Sequence, residues 1–547
     1  MSRLAAATAA TAYQKEWFAG IRARVAAGEP LALVNADAPQ ELLRAMDIPY
    51  VVNQWWASVV AAKQRADESL QVLRDRGYPD YSRQYDAVSL GSHFLADAPW
   101  GGLPQPTVVI AENSGDAARK VFDLWDELPG TDFYPLERSS AVQAPPRWWE
   151  LVPHRWEEAF GPERIDLLAG EITDLAAWLT ERTGRVLDVD RLRTVMDLVN
   201  EQAEWNRRTR NLLAGTRPTP VRVGDTIPAV MIPQWHRGTE WGRDAARRLH
   251  DEVAGLARTG AAVVPGERLR LMWLGRGLWY DLGLYRRFEE RYGAVFVWSM
   301  YLAIAADGYL RYGPDPVRAL AGRFAGITDQ LYTPPWSTDW YVKEAQAHGV
   351  DGVVHLVADD VPGSWFTTRA LEDAGIPVLE IHASNADPRT GGPTSSTRRS
   401  ASSSRVGSAN GPTPEGGRHC RPTCAPADDP HRHSSPDPHR RGRRKDTPMR
   451  TRNTSTGALG AGSAALMALT MALTACGEGT TTVAATRWQL PRWTAPPSST
   501  NSCPRPRRRA ASPSTEPSTS RSCRRSRARS PSSTTSRRRS SGWSRRT

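Results

Sequence analysis

Cysteine is missing from the first 419 residues of this 547-residue chain; all five, Cys420, Cys424, Cys476, Cys503 and Cys523, lie beyond residue 390. That absence removes both a disulfide framework and thiolate metal sites from the long first part. Residues 1–390 also lack a P-loop, an H-E-x-x-H pair, a G-x-S-x-G elbow and a Cys-x-x-Cys pair. The opening "MSRLAAATAATAYQKEWFAG" has no long apolar core, so it reads as a short helix rather than an export signal, and the expected compartment is the cytoplasm. Positive charge is scarce in this part as well. Residues 1–390 hold 42 Lys+Arg against 52 Asp+Glu, a net −10, and the remaining 29 against 7 give +22, which together make the chain's +12. The basic isoelectric point therefore belongs to the last part alone, and the body gives no ground for a nucleic-acid surface.

Beyond residue 390 Ser, Arg, Pro, Thr and Gly replace the apolar periodicity, a composition that cannot offset its own ordering entropy and is expected to be disordered. Within this tail, residues 449–476 begin with Met449 and two arginines, continue through an apolar run and end in Leu473-Thr474-Ala475-Cys476, the layout of a bacterial lipoprotein signal. A signal in mid-chain and the abrupt change of composition point to a reading-frame shift near residue 390 and another near 485, which resequencing of that interval tests. The alternatives are a genuine basic tail, or one membrane-crossing helix at residues 457–475. The tail receives no function.

What the body does contain is alternation. With 18 of the 21 tryptophans it has the makings of a sizeable core. "PLALVNADAPQELLRAMDIPYV" reads as strand, helix and strand, and residues 53–76 as an amphipathic helix closed by Gly77. "PTVVIAENSGDAARKVFDLWDEL" reads as a buried strand, a polar turn and a helix. A helical section runs from about 154 to 214. Strand–helix alternation then resumes in "TIPAVMIPQWHRGTEWGRDAARRLHDEV", "ERLRLMWLGRGLWYDLGLYRRFEERYGAVFVWSM" and "VDGVVHLVADDVPGSWFTTRALEDAGIPVLEIHA".

The expected fold class is α/β, with an N-terminal helical part, two doubly wound parallel sheets and a disordered basic tail. The expected partition is a helical segment at 1–30, a first α/β domain at 31–150, a helical connection at 151–216, a second α/β domain at 217–389 and the tail at 390–547. Ligands of such sheets gather beyond the carboxyl ends of the strands. That directs attention to the tips "AENSGD" (111–116), "GRGLWYD" (275–281) and "HLVADD" (355–360).

At "QWHRGTEW", expected at a strand-to-helix junction, His236 and Glu240 stand four apart as a candidate acid–base pair. Arg237 beside them is a candidate holder of a phosphate or CoA-linked thioester. The plainer account has Thr239 capping the helix, Glu240 favouring its dipole, and the tryptophans packing. Asn113 and Ser114 precede a helix whose free N–H groups suit an oxyanion, although capping by Ser114 explains the same residues. Trp55, in "NQWWASVV", could floor an acyl or aromatic pocket or simply pack. "GRGLW" lacks the spacing of a dinucleotide loop, and His355 at a strand end reads as structural.

Taken in order, "LALVNADAPQELLRAMDIPYVVNQWW", "PQPTVVIAENSGDAARK", "PQWHRGTEWGRDAARRLHDEV", "LMWLGRGLWYDLGLYRRFEERYGAVFVWSMYLAIAADGY" and "GVDGVVHLVADDVPGSWFTTRALEDAGIPVLEI" resemble the subunits of the 2-hydroxyacyl-CoA dehydratase and benzoyl-CoA reductase family, over about residues 10–389. The resemblance implies paired related subunits, each with an N-terminal helical part and two flavodoxin-like or Rossmann-like α/β domains, carrying four-iron four-sulfur clusters, and an ATP-driven activator protein that supplies a low-potential electron. Dehydratases of the family then make a ketyl radical from the thioester carbonyl, and reductases put electrons into an aromatic thioester. It also implies three cluster cysteines per clustered subunit, at positions that fall here on Gly115, on Ala358 and in the segment around Pro79. None is a cysteine. A cluster-free subunit of a heterodimer is therefore expected, binding no cofactor through its own cysteines, with the 4Fe-4S cluster confined to a cysteine-bearing partner and a CoA thioester as shared ligand. The alternatives are a stand-alone non-redox acyl-CoA enzyme or binding protein using "HRGTE", and a purely structural subunit.

Overall fold

The computed structural model describes residues 4–78, 84–113, 116–141, 143–358 and 364–390. The expected tail, together with Ser114, Gly115, Pro79, Asp359 and Asp360, lies outside these residues.

Among the described residues, apolar runs of three to six residues form eight strands in two parallel sheets. The first sheet holds β1 (Ala32–Val34), β2 (Tyr50–Val52), β3 (Val108–Glu112) and β4 (Asp132–Leu136) in the order β2-β1-β3-β4. The second holds β5 (Leu269–Leu274), β6 (Ala294–Ser299), β7 (Gly352–Val357) and β8 (Val378–His382) in the order β6-β5-β7-β8. The inner strands β1 and β3 are buried throughout, because helices cover both faces of a parallel sheet. Edge strands β4 and β8 are only partly covered, which is why polar residues interrupt their sequences.

Both sheets share one winding. The chain leaves β1 outward to β2 and returns across it to β3; it leaves β5 outward to β6 and returns to β7. Loops after the two central strands therefore part in opposite directions and open a crevice at the carboxyl ends of β1 and β3, and another at those of β5 and β7. The described residues of the three tips singled out from the sequence stand at these positions, together with a fourth after β1, residues 35–39.

Helices account for the rest. Ala5–Ala26 packs on Val223–Trp235, and the Glu252 carboxylate accepts the Ala5 and Ala6 N–H groups at 2.7 and 2.9 Å, satisfying donors that its first turn leaves open. Val189–Gly215 begins at Asp188, whose side chain accepts the Arg191 N–H, and packs against Glu240–Arg258 and Met300–Asp307.

Two local expectations are corrected. "TIPAVMIPQW" is not a strand but the helix Val223–Trp235, and "QWHRGTEW" joins two helices. The run is apolar around its whole circumference because neighbouring helices enclose it, and a short all-apolar run carries no period by which helix and strand can be told apart. Residues 53–76 form two helices, Asn53–Ala62 and Ala66–Asp75, broken where Gln64 takes a left-handed φ of 59°.

Candidate functional site

The loop after β1 is held from below by a buried ion triad. Arg237 and Arg323 both pair with Glu41, at 2.7 and 2.9 Å, and all three side chains are excluded from water. Burial alone would raise the Glu41 carboxyl; the two guanidinium groups instead hold it at about 2. Arg323 also donates to the carbonyls of Asp37 and Ala38, at 3.1 and 3.2 Å. The triad thus fixes the backbone that presents Asp37 at the carboxyl end of the first sheet.

Asp37 accepts a hydrogen bond from the Tyr332 hydroxyl at 3.1 Å. Burial pushes its carboxyl above the ordinary value, against the opposing pull of Arg276, the Tyr332 hydrogen bond, Arg323 and Arg138. Beside it, Glu112 ends β3; Arg138 stands 3.5 Å from its carboxylate and the Thr328 hydroxyl donates to it at 3.4 Å. Residues from both sheets and from the helix Pro316–Tyr332 therefore meet here.

Arg276 comes from the tip after β5. Gly275 before it has a φ of 102°, and a Cβ there would lie 2.7 Å from the Leu356 carbonyl, so only glycine lets the two central strands of the second sheet end this close together. The Arg276 guanidinium lies 5.5 Å from the centre of the Tyr85 ring. Arg276 also lines a small cavity of about 40 Å³, together with Tyr332, Ser337, Tyr341 and His355 and apolar Leu274 and Met300. Ser337 and Tyr341 are one turn apart on the helix Trp336–Ala347 and so share a face. The arrangement offers one cation, several hydroxyls and an imidazole in a space sized for a small polar group.

The residues chosen from the sequence are distributed differently. His236 is buried in an aromatic cage, with the rings of Tyr13, Trp17 and Trp241 at 4.9, 4.7 and 5.3 Å, and burial, with Arg44 nearby, drives its pKa well down. Glu240 is exposed in the first turn of the next helix, where Thr239 accepts the Gly242 N–H at 3.0 Å. No hydrogen bond joins His236 and Glu240 among the described residues. Arg237 spends its charge on Glu41. Trp55 is buried edge-on to Trp17 at 5.3 Å, and its indole N–H donates to Gln14 at 3.0 Å. Asn113 sits at the β3 tip and donates to exposed Glu137 at 3.1 Å. Asp37 and Tyr332 are not among the residues singled out from the sequence, and Arg276 is included only as part of the tip 275–281. "VNADAP" carried a signal, a polar tip straight after a buried strand.

This fold and site define a two-sheet α/β protein whose polar residues converge at the carboxyl ends of both sheets. The family of 2-hydroxyglutaryl-CoA dehydratase, D-component, matches residues 35–398, and the chain belongs to it. It is 22% identical over 368 residues to the (R)-phenyllactyl-CoA dehydratase alpha subunit of Clostridium sporogenes. It is 20% identical over 392 residues to the (R)-2-hydroxyisocaproyl-CoA dehydratase alpha subunit of Clostridioides difficile. In both cases the match covers 66% of this chain and 86% of the relative. Family membership as a dehydratase component agrees with the resemblance read from the sequence.

The iron–sulfur cluster implied by that resemblance requires soft thiolate donors. The side chain at the β7 tip is the buried methyl of Ala358, which has no lone pair to offer, and residues 1–419 contain no thiol elsewhere. The residues present do not fit such a cluster. No helix among the described residues is long and apolar enough to cross a membrane.

Proposed function

We propose that this chain is the cluster-free subunit of a 2-hydroxyacyl-CoA dehydratase, related also to benzoyl-CoA reductase subunits. It closes a CoA-thioester pocket against a cysteine-bearing partner that holds the 4Fe-4S cluster and is served by an ATP-dependent activator. The observation that carries this reading is the joint one of family membership and an absence of cysteine from residues 1–419. The relatives named above are alpha subunits of dehydratases acting on 2-hydroxyacyl-CoA compounds, and a component of such an enzyme works beside other components.

Within this reading, the chain's own residues bind and orient. Arg276 supplies positive charge where a thioester carbonyl gathers electron density, and Tyr341 supplies a hydroxyl donor beside it, the Tyr332 proton being held by Asp37. Asp37, raised by burial and held by Tyr332, keeps the rim of the cleft polar. The apolar walls of Leu274, Met300 and Leu331 exclude water from the carbonyl.

The test is purification of the chain from its native host without oxygen, followed by measurement of iron, acid-labile sulfide and co-purifying protein. About four irons per complex with an equimolar cysteine-bearing relative are expected, as one [4Fe–4S] centre requires. Neither iron nor a partner would overturn the reading and leave a cofactor-independent acyl-CoA protein in its place.

A further inference from the structure

His355, which the sequence presents as an ordinary strand-end histidine, lies on β7 opposite Glu380 of β8 and Leu274 of β5, so the three share one face of the second sheet. Thr368, on the helix Ser364–Asp373 that covers this face, stands between the two polar residues. Its hydroxyl donates to Glu380 Oε1 at 2.6 Å and lies 2.9 Å from His355 Nδ1.

A threonine hydroxyl has one proton. Because that proton goes to the Glu380 carboxylate, the contact with the imidazole has only one sense: Nδ1–H donates and the threonine oxygen accepts. The ring is thereby locked in the tautomer with its proton on Nδ1, and Nε2 carries the lone pair. His355 is 3% exposed, and burial lowers its pKa to about 4, so the ring is a neutral acceptor across the physiological range. The same side chain lines the cavity that Arg276, Tyr332 and Tyr341 enter. One wall of that cavity thus accepts and another donates.

We infer that His355, oriented by the Thr368–Glu380 relay, reads the hydroxyl of a 2-hydroxyacyl thioester. The substrate hydroxyl donates to Nε2, and the adjacent carbonyl oxygen accepts from Arg276. A ligand with a donor and an acceptor on neighbouring carbons matches the two walls, and a volume of about 40 Å³ takes the hydroxyl and carbonyl oxygens and leaves no room for a bulky substituent beside them. The inference rests on the acyl-CoA reading above and adds the residue that tells hydroxylated from unhydroxylated substrate. Thr368 and Glu380 are positioning residues that act through His355.

The experiment is isothermal titration of the full chain, purified from its native host without oxygen together with any subunit that accompanies it, with lactoyl-CoA and with propanoyl-CoA, which differ by the one hydroxyl. Binding of lactoyl-CoA tighter by about ten-fold or more is expected, since a polar group left unpaired in a buried site penalises the analogue. Thr368→Val should reduce that ratio several-fold and leave propanoyl-CoA binding unchanged, whereas Thr368→Ser retains the preference. Selective 15N-histidine spectra, assigned by the difference from His355→Gln, should show the proton of His355 on Nδ1 in the wild type and a tautomer mixture in Thr368→Val. Equal affinity for the two thioesters, or a proton found on Nε2, overturns the inference while leaving the acyl-CoA reading intact; binding of neither thioester overturns both.

Discussion

At the scale of single residues, the most consequential charge is Glu41. It is the shared counter-ion of two guanidinium groups that are themselves closed off from water, one of which ties down the carbonyls beside Asp37. Removing a lone partner from a buried ion cluster leaves uncompensated charge, at a cost of about 3–5 kcal/mol. Glu41→Ala is therefore expected to lose stability of that order in urea unfolding, with the slope of the transition unchanged. A loss below about 1 kcal/mol would show that the triad is relaxed by water. His355 contributes to stability in a pH-dependent way. Burial, opposed by Glu380 and reinforced by His382, places its folded pKa at about 4, below the ordinary 6.5. As pH falls from 6.5 towards 4 the unfolded chain takes up the proton first, so stability is complete above this window and declines through it. The full span is worth about 3 kcal/mol. Urea midpoints of wild type and His355→Gln between pH 7 and 4.5 check this, the variant being expected to lose less on acidification. Parallel losses would mean that other groups, such as buried His348, dominate.

At the scale of elements, the strands that carry the tips were readable because they are short apolar runs ending in polar turns. The buried strand expected in "PTVVIAENSGD" is β3, "GRGLWYD" follows β5, and "HLVADD" begins within β7, whose last residues are His355, Leu356 and Val357. What was not readable depends on tertiary surroundings. The helix Val223–Trp235 is enclosed on all sides, so its sequence has no polar face to mark the period. Arg237 looked like an anion holder because its partner, Glu41, is 196 positions away in the chain. His355 looked structural because Thr368 and Glu380 reach it from a helix and an edge strand that no local pattern links. The tip after β5 carries its own prediction. At Gly275 a side chain would meet the Leu356 carbonyl in a left-handed backbone conformation, so Gly275→Ala must part the ends of β5 and β7. A destabilisation of about 1–3 kcal/mol is expected, together with weaker binding of lactoyl-CoA, because Arg276 is the next residue. Stability lost with affinity unchanged would separate the tip from the site.

At the scale of the whole molecule, charge divides the chain more sharply than fold does. Residues 1–390 carry −10 and residues 391–547 carry +22, while the proposed ligand, a CoA thioester, is itself a polyanion. Two modes of CoA binding are then available to the full chain, and salt distinguishes them. Attraction between exposed arginines and phosphates is screened within about 8 Å at physiological ionic strength and weakens steeply as salt rises. Contacts inside a small cavity walled by Arg276 and His355 are screened far less. Retention on heparin should therefore belong to residues 391–547 and vanish when they are removed. The preference for lactoyl-CoA over propanoyl-CoA should persist unchanged between about 0.05 and 0.5 M salt, because the hydroxyl that distinguishes the two carries no charge and the tail cannot sense it. A preference that faded with salt in step with heparin retention would assign the selectivity to the tail and remove it from the cleft.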